Sequence, residues 1–195
     1  RKVGGVMKIP GREGNTGGVD ATRGSMGCGA AAVRIGVGPG AACTSRGVHG
    51  LGVPQVTATV DCAAARDAYF KKTARYVPII TDGGMSKGGD VCKAFACGAD
   101  AVMVGSAFAK AYEAPGAGYH WGMATPHANL PRGTRIKVGA TGSLKQILFG
   151  QAEVDDGSQN LIGAITTCKG NVGGRSLPQF QQTENVTAPH VKHER

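Results

Sequence analysis

Residues 36–46 read GVGPGAACTSR and present one cysteine, Cys43, after a turn rich in glycine and proline. Glycine adopts positive φ without a steric penalty, so Gly38 and Gly40 can direct backbone groups toward the cysteine. Nearby backbone amides favour the thiolate, which is the nucleophilic form of the side chain. Two interpretations follow: an activated nucleophile, or a half-buried structural cysteine in a tight loop. From these residues alone the structural cysteine is the simpler interpretation.

Two further glycine turns, Asp82-Gly83-Gly84 and Gly105-Ser106, each follow a short apolar run. Free backbone N–H groups beside a helix start bind phosphate well, and the Asp82 carboxylate can accept hydrogen bonds from ribose hydroxyls. Either turn alone is weak evidence, since glycine is common between a strand and a helix. Two such turns in succession are typical of a barrel that binds phosphate after its last two strands.

Two segments further along the chain add candidates. Glu113 opens the sequence EAPG, where its carboxylate can serve acid–base chemistry or can simply be a solvated charge at a helix end. The sequence HWGM sets Trp121, the single tryptophan of the chain, beside the flexible pair Gly122-Met123. This arrangement suits packing against a flat base, and packing against neighbouring residues is the alternative.

Short apolar runs alternate with helical periodicity from about residue 30 onward. Strands are predicted at 31–35, 77–81 and 101–104, and helices at 60–73, 90–97, 105–112, 143–149, 157–168 and 176–183. Strand, glycine turn and helix in repetition indicate an α/β fold with a parallel sheet or barrel in a single domain over residues 1–195. Residues 1–28 show no clean strand and are expected to be poorly defined, and residues 113–142 are expected to form a flap-like excursion.

Composition narrows the classes of partner. The net charge of +9 favours anionic ligands, but the basic residues are dispersed, so we expect a phosphorylated small molecule and no nucleic acid. No apolar run reaches the roughly 20 residues of a membrane helix, and no signal peptide is evident, so no membrane contact and a cytoplasmic location are expected. The six cysteines form no Cys-x-x-Cys motif, which favours reduced thiols over structural zinc.

Together these segments resemble the family of IMP dehydrogenases and GMP reductases. The resemblance lies in GVGPGAACTSRGVHGLGVPQVTA, IITDGGMSKGGDVCKAFACGADAVMVGSAFA, YEAPG and GYHWGM, in the order and spacing of the family. The segments HWGMATPHANLPRGTRIKVG and VDDGSQNLIGAI resemble the IMP dehydrogenase-related third branch found in actinobacteria and cyanobacteria. Gly14-Asn15 falls where the family has a Gly-Asn pair at a strand end.

The resemblance implies the C-terminal half of a TIM (β/α)8 barrel, with about four βα units plus a flap and C-terminal helices. A whole barrel of this kind has eight units over roughly 250 residues. Half a barrel leaves sheet edges and an apolar face open. We therefore expect a homo-oligomer in which two halves meet, or a chain with impaired activity.

The resemblance also implies a role for each site residue. Cys43 attacks C2 of the purine to form a covalent intermediate, and a nicotinamide, as NADPH or NAD, carries the hydride. The implied nucleotide contacts are Asp82 on the ribose, Gly83, Gly84, Gly105 and Ser106 on the 5′-phosphate, and Gly122 and Met123 on the base, with Glu113 near the reacting carbon. Carbonyl oxygens of Gly38, Gly40 and Cys43 are implied to hold a monovalent cation, usually potassium.

The direction of the reaction is predicted from the flap. Dehydrogenases of the family resemble one another in an Arg-Tyr pair that activates water, and the span from Met123 to Ser143 contains no tyrosine. Ser45 stands two residues after Cys43, where a reductase has a hydroxyl, so NADPH-dependent GMP reduction to IMP is favoured, assisted by Ser45 and Glu113. The alternatives are an IMP dehydrogenase using NAD, a non-catalytic half-barrel that binds nucleotide or self-associates, and an FMN-dependent barrel.

Overall fold

A computed structural model describes residues 10–122 and 135–186 and is built around a parallel four-stranded sheet. The strands are β1 (Arg12–Thr16), β2 (Ala32–Ile35), β3 (Ile79–Asp82) and β4 (Ala101–Met103), side by side in that order. The helices are α1 (Val19–Gly27), α2 (Ser45–His49), α3 (Gln55–Thr73), α4 (Gly88–Ala96), α5 (Ser106–Ala109), α6 (Leu144–Phe149), α7 (Leu161–Asn171) and α8 (Leu177–Phe180). A helix follows each of these four strands, so the predicted partial (β/α)8 barrel is confirmed.

One face of the sheet packs on the helices and forms the main hydrophobic core. Val33, Ile35 and Ile79 are fully buried there against Met26 of α1 and Cys62 of α3. A second cluster joins α4 to the region of β4. Because the strands are short and parallel, their carboxyl ends reach the same edge of the sheet, as the alignment of Ile35 with Thr81 records.

The opposite face of the sheet carries the alternate residues of the same strands. Arg34 of β2, Ile80 of β3 and Met103 of β4 are half-buried on this face. The Arg34 Nη1 atom lies 3.8 Å from the Met103 Sδ atom, so the two side chains cross β3. This face corresponds to the inner surface of a barrel.

The N-terminal region differs from the expectation drawn from its sequence. Residues 12–27, for which no clean strand is predicted, form β1 and α1, and residues 1–9 lie outside the described part. The local pattern misses β1 because its residues are polar, with only Thr16 buried. The strand exists because it pairs in parallel with β2, which aligns Arg12 with Ala32.

Two helix boundaries also differ from those predicted from the sequence. The helix expected from residue 60 begins at Gln55, directly after Pro54, whose extended backbone sets the helix start. The helix expected to run to residue 112 ends at Ala109, because Thr141 and Gly142 form backbone hydrogen bonds with Lys110 and Tyr112.

The expected flap region contains an antiparallel hairpin of β5 (Tyr119–Trp121) and β6 (Arg135–Lys137). Residues 123–134, including Met123, lie outside the described part. Within residues 10–122 and 135–186, no helix combines the length and apolar character needed to cross a membrane.

Candidate functional site

Cys43 lies in the loop between β2 and α2, at the carboxyl edge of the sheet. Its side chain is half-buried, and its Sγ atom lies 3.4 Å from the hydroxyl oxygen of Ser45. The Cys43 N–H donates to the carbonyl oxygen of Gly40 over 3.0 Å, which closes a tight turn just before the cysteine. The thiol and the hydroxyl are therefore adjacent in the structure.

Gly38 gives this loop its shape. Its φ of 79° lies in the left-handed region, and a Cβ atom there would lie 2.7 Å from Cγ of Arg46. Arg46 reaches across the loop and donates from Nη2 to the carbonyl oxygen of Val53 over 3.0 Å. The guanidinium is therefore bonded to Val53.

The other thiols have different surroundings. All six cysteines are unpaired, and Cys62, Cys92 and Cys97 are buried. Burial raises the pKa of Cys62 and of Cys97, and burial together with Cys168 raises the pKa of Cys92 to about 12. These three thiols stay protonated near neutral pH and are poor nucleophiles.

The loop after β3 contacts the Cys43 loop directly. A Cβ atom on Gly83 would lie 2.8 Å from Cγ of Pro39 and 3.1 Å from the backbone nitrogen of Gly40. Gly83 and Gly84 have φ values of 95° and 76°, which only glycine adopts readily. The close approach of the two loops therefore depends on the glycine pair that the sequence singles out.

Asp82 has a partner to which the sequence analysis gave no role. The amide nitrogen Nδ2 of Asn15, at the end of β1, donates to Oδ2 of Asp82 over 2.8 Å. The bond passes over the end of β2 and joins β1 to β3 at the carboxyl edge. The Gly14-Asn15 pair at a strand end is the only signal in the sequence for this contact.

The turn after β4 is linked to the hairpin. Ser106 Oγ lies 3.0 Å from Nδ1 of His120, and a Cβ atom on Gly105 would lie 3.3 Å from Cε1 of that ring. Gly122, two residues later, packs so closely on the carbonyl oxygen of Ala42 that no side chain fits. The hairpin strand β5 thus connects the Gly105-Ser106 turn to the Cys43 loop, and His120 is a site residue that the sequence analysis did not assign.

Glu113 is not brought together with Cys43 by any contact among the described residues. Its carboxylate accepts the Leu144 N–H over 2.8 Å, at the first residue of α6. It lines a cavity of about 490 Å³ that also includes Phe108, His120 and Trp121. Its contacts are those of a helix-capping residue, and its role near a reacting carbon stays a prediction.

The assembled edge offers a half-buried thiol with an adjacent hydroxyl, a carboxylate and several glycine turns. This combination suits covalent attack on a ligand that also presents hydroxyl and phosphate groups. No cluster of three or more metal-ligating side chains occurs in the part of the chain that the structure describes.

Comparison with known proteins gives concordant results. The sequence matches the IMP dehydrogenase / GMP reductase domain over residues 7–189. An uncharacterized oxidoreductase of Mycolicibacterium smegmatis is 42% identical over 161 residues, which cover 80% of this chain and 43% of that protein. An inosine-5′-monophosphate dehydrogenase of Aquifex aeolicus is 34% identical over 185 residues, covering 87% of this chain and 36% of that protein.

A solved structure is also similar. The crystal structure of an IMP dehydrogenase/GMP reductase-like protein from Corynebacterium glutamicum superposes with a TM-score of 0.81 at 37% identity. The match covers 92% of this chain and 48% of that one. The chain spans less than half the length of these relatives.

Proposed function

The chain belongs to the IMP dehydrogenase / GMP reductase domain family of oxidoreductases, and from this premise we propose that it acts on a purine nucleoside monophosphate through Cys43. The observation that carries the proposal is the direct packing of the Asp82 loop on the Cys43 loop, through Gly83 and Pro39. A nucleotide bound at this edge can meet a carboxylate and a thiol at once.

The proposed binding mode follows the order of the turns. Asp82 accepts hydrogen bonds from the ribose hydroxyls, and the 5′-phosphate lies on the N–H groups of Gly83, Gly84, Gly105 and Ser106. Main-chain groups of Gly122 and Met123 hold the base edge. The bond between Asn15 and Asp82 supports this mode because it orients the carboxylate before the nucleotide arrives.

The proposed reaction is the NADPH-dependent conversion of GMP to IMP. The Cys43 sulfur forms a bond to C2 of the purine, the exocyclic amine leaves C2 as ammonia, and the Ser45 hydroxyl supplies a proton to it. NADPH supplies a hydride to C2, and the C2–sulfur bond then breaks to release IMP and the thiol. GMP, NADPH and two protons thus give IMP, NADP⁺ and ammonium.

Two features support the reductive direction over the oxidation of IMP with NAD. The Ser45 hydroxyl lies beside the thiol, at 3.4 Å, where a departing amine needs a proton donor. The sequence between Met123 and Ser143 has two arginines and no tyrosine, so it lacks an Arg-Tyr pair to activate water. Glu113, which lines a cavity with His120 and Trp121, is proposed to assist near the reacting carbon.

We also propose that the carbonyl oxygens of Gly38, Gly40 and Cys43 hold a monovalent cation such as potassium. Backbone carbonyls are suitable ligands for such ions, and Arg46 is bonded to Val53 and does not occupy them. In this role the ion maintains the shape of the loop. Comparing nucleotide affinity in potassium chloride and in choline chloride tests this assignment.

A homo-oligomer is proposed for the same chain. The side chains of Arg34, Ile80 and Met103 on the second face of the sheet are only half-buried. A second copy that covers this face would complete an eight-unit arrangement. Sedimentation of the purified chain tests the proposal, and a monomer at all concentrations would contradict it.

The activity test uses two reactions on one sample. We expect NADPH oxidation with GMP, with IMP and ammonium as products, and no XMP from IMP and NAD. XMP from the second reaction alone would assign the dehydrogenase direction. Nucleotide binding without turnover in either reaction would favour a non-catalytic half-barrel, and a bound flavin would favour an FMN-dependent barrel.

A further inference from the structure

Gln55 occupies a corner between the two central strands at the carboxyl edge. It is the first residue of α3, and its side chain reaches back over the ends of β2 and β3. The amide nitrogen Nε2 donates to the carbonyl oxygen of Ile35 over 3.0 Å and to that of Asp82 over 3.1 Å. One side-chain amide therefore bonds the last main-chain carbonyl of each strand.

These two carbonyls immediately precede the two loops of the candidate site. Ile35 is followed by Gly36, where the Cys43 loop begins, and Asp82 is followed by Gly83. Gly36 has a φ of 145°, and a Cβ atom there would clash with the Asp82 carbonyl oxygen and lie 3.1 Å from Nε2 of Gln55. The amide thus fills the space between the two loop origins and leaves little room for either to shift.

The orientation of the amide follows from its partners. Two carbonyl oxygens need two N–H groups, which only the NH2 end of the side chain provides. The other end, Oε1, is then buried without a hydrogen-bond partner among the described residues. A buried acceptor left unpaired is destabilising. An apolar side chain of similar size would fill the corner without this penalty, so packing alone does not account for a glutamine here.

We propose that Gln55 is a positioning residue that sets the spacing between the Cys43 loop and the Asp82 loop. The inference rests on the proposed function, in which the thiol and the carboxylate act on the same nucleotide. Gln55 touches no reacting atom; it acts through the backbone carbonyls of Ile35 and Asp82.

The test compares two substitutions with a matched control. Gln55→Met keeps the side-chain length and removes both hydrogen bonds. Gln55→Glu places a carboxylate against two carbonyl oxygens, which repel it. Gln182 is an exposed glutamine, so Gln182→Met and Gln182→Glu apply the same changes away from the site. Each variant is prepared as the full chain, and its thermal midpoint is recorded.

The first measurement does not depend on activity. The rate of iodoacetamide labelling is followed by mass spectrometry at Cys43, at exposed Cys28 and at buried Cys62. Because labelling follows access to the thiol, we expect Gln55→Met to speed labelling of Cys43 about threefold or more. The labelling of Cys28 and Cys62 should not change. An unchanged rate at Cys43, or a rise at Cys62 in parallel, would overturn the proposal.

The second measurement separates binding from alignment. A misplacement of about 1 Å can reduce turnover by about 10²-fold, so Gln55→Met should lower kcat by that order while KM for the nucleotide changes little. Gln55→Glu should lower kcat further, and both Gln182 variants should match the wild type. A larger change in KM than in kcat would overturn the positioning role. A wild type that turns over no purine nucleotide, with the labelling result as expected, would refute the proposed function and leave the loop-spacing role standing.

Discussion

The two ends of the sheet are held together in different ways. At the amino ends of the strands, Arg66 is almost fully buried and donates from Nη1 to the carbonyl oxygen of Gly98 over 2.7 Å and to Asp100 over 2.8 Å. The same Asp100 oxygen accepts the Ile79 N–H over 2.9 Å, and its other oxygen accepts the hydroxyl of Tyr76 over 2.6 Å. One carboxylate therefore joins a helix, a strand and a loop.

At the carboxyl ends the contacts are fewer for each group. Apart from Gln55, which bonds two main-chain carbonyls, the side-chain contacts there are single pairs between glycine turns: Cys43 with Ser45, Asn15 with Asp82, and Ser106 with His120. The amino ends use multiply bonded charges to stabilise the fold, and the carboxyl ends keep polar groups available. Substitutions at the amino ends should therefore change the free energy of unfolding. Substitutions at the carboxyl ends should change nucleotide binding or turnover.

The largest effect is expected for Cys43→Ser. If Cys43 is the nucleophile, as proposed, loss of its thiol should reduce turnover at least about 10³-fold, which corresponds to about 4 kcal/mol in the barrier. The thermal midpoint should move by less than about 2 °C, since the thiol makes a single long contact. NADPH oxidation and calorimetry measure the two quantities, with exposed Cys28→Ser as the control. Activity within tenfold of the wild type would show that Cys43 is not the nucleophile.

Asp100→Ala tests the amino end. Removing the carboxylate leaves the buried Arg66 guanidinium with only the exposed Asp67 carboxylate as an ionic partner, so the free energy of unfolding should fall by about 3–5 kcal/mol. Asp67→Ala is the matched control, because that carboxylate is 60% exposed and should contribute less than about 1 kcal/mol. Urea unfolding of both variants makes the comparison, and equal losses would mean that Asp100 does not organise this end.

Asp82→Ala tests the carboxyl end by binding. Loss of the ribose acceptor should weaken nucleotide affinity by about 1–3 kcal/mol, with little change in the unfolding midpoint. Asn15→Ala should have a smaller effect, because it leaves the carboxylate in place and removes only the group that orients it. Calorimetric titration with GMP and IMP gives both values. Unchanged affinity in Asp82→Ala would mean that the ribose does not bind at Asp82.

The smallest expected effect concerns Tyr76 and pH. Burial and the hydrogen bond to Asp100 raise the pKa of Tyr76 from 10.0 to about 12. The folded state therefore favours the neutral phenol, and this contribution is complete below pH 10 and is lost as the pH rises toward 12. Tyr76→Phe should remove about 1 kcal/mol at pH 8 and flatten the decline above pH 10. Urea unfolding at pH 8 and above pH 10 measures this contribution, with exposed Tyr112→Phe as the control. Identical pH profiles of unfolding free energy for wild type and Tyr76→Phe would contradict the assignment.

Much of the fold was predictable because each βα unit carries its own local signal. Apolar runs such as 77–81 and 101–104 end at Asp82 and Gly105, and the structure has strands at both places. β1 was missed because its polar residues become a strand only by pairing with β2. The end of α5 was misplaced because the competing partner, Thr141, is distant in sequence.

By itself, the sequence determined the alternation of strand, turn and helix from β2 to β4 and singled out Cys43, Asp82 and the glycine turns as chemistry-bearing. Periodicity and the conformational freedom of glycine act over a few residues, so they can be read locally. Only the tertiary structure decided that Asn15 orients Asp82, that Gln55 joins two strand ends, that His120 lies on Ser106, and that Glu113 caps α6. These contacts depend on which chain segments the parallel sheet and the hairpin bring together, and a hydrogen bond forms wherever geometry supplies a donor and an acceptor, regardless of their separation in sequence.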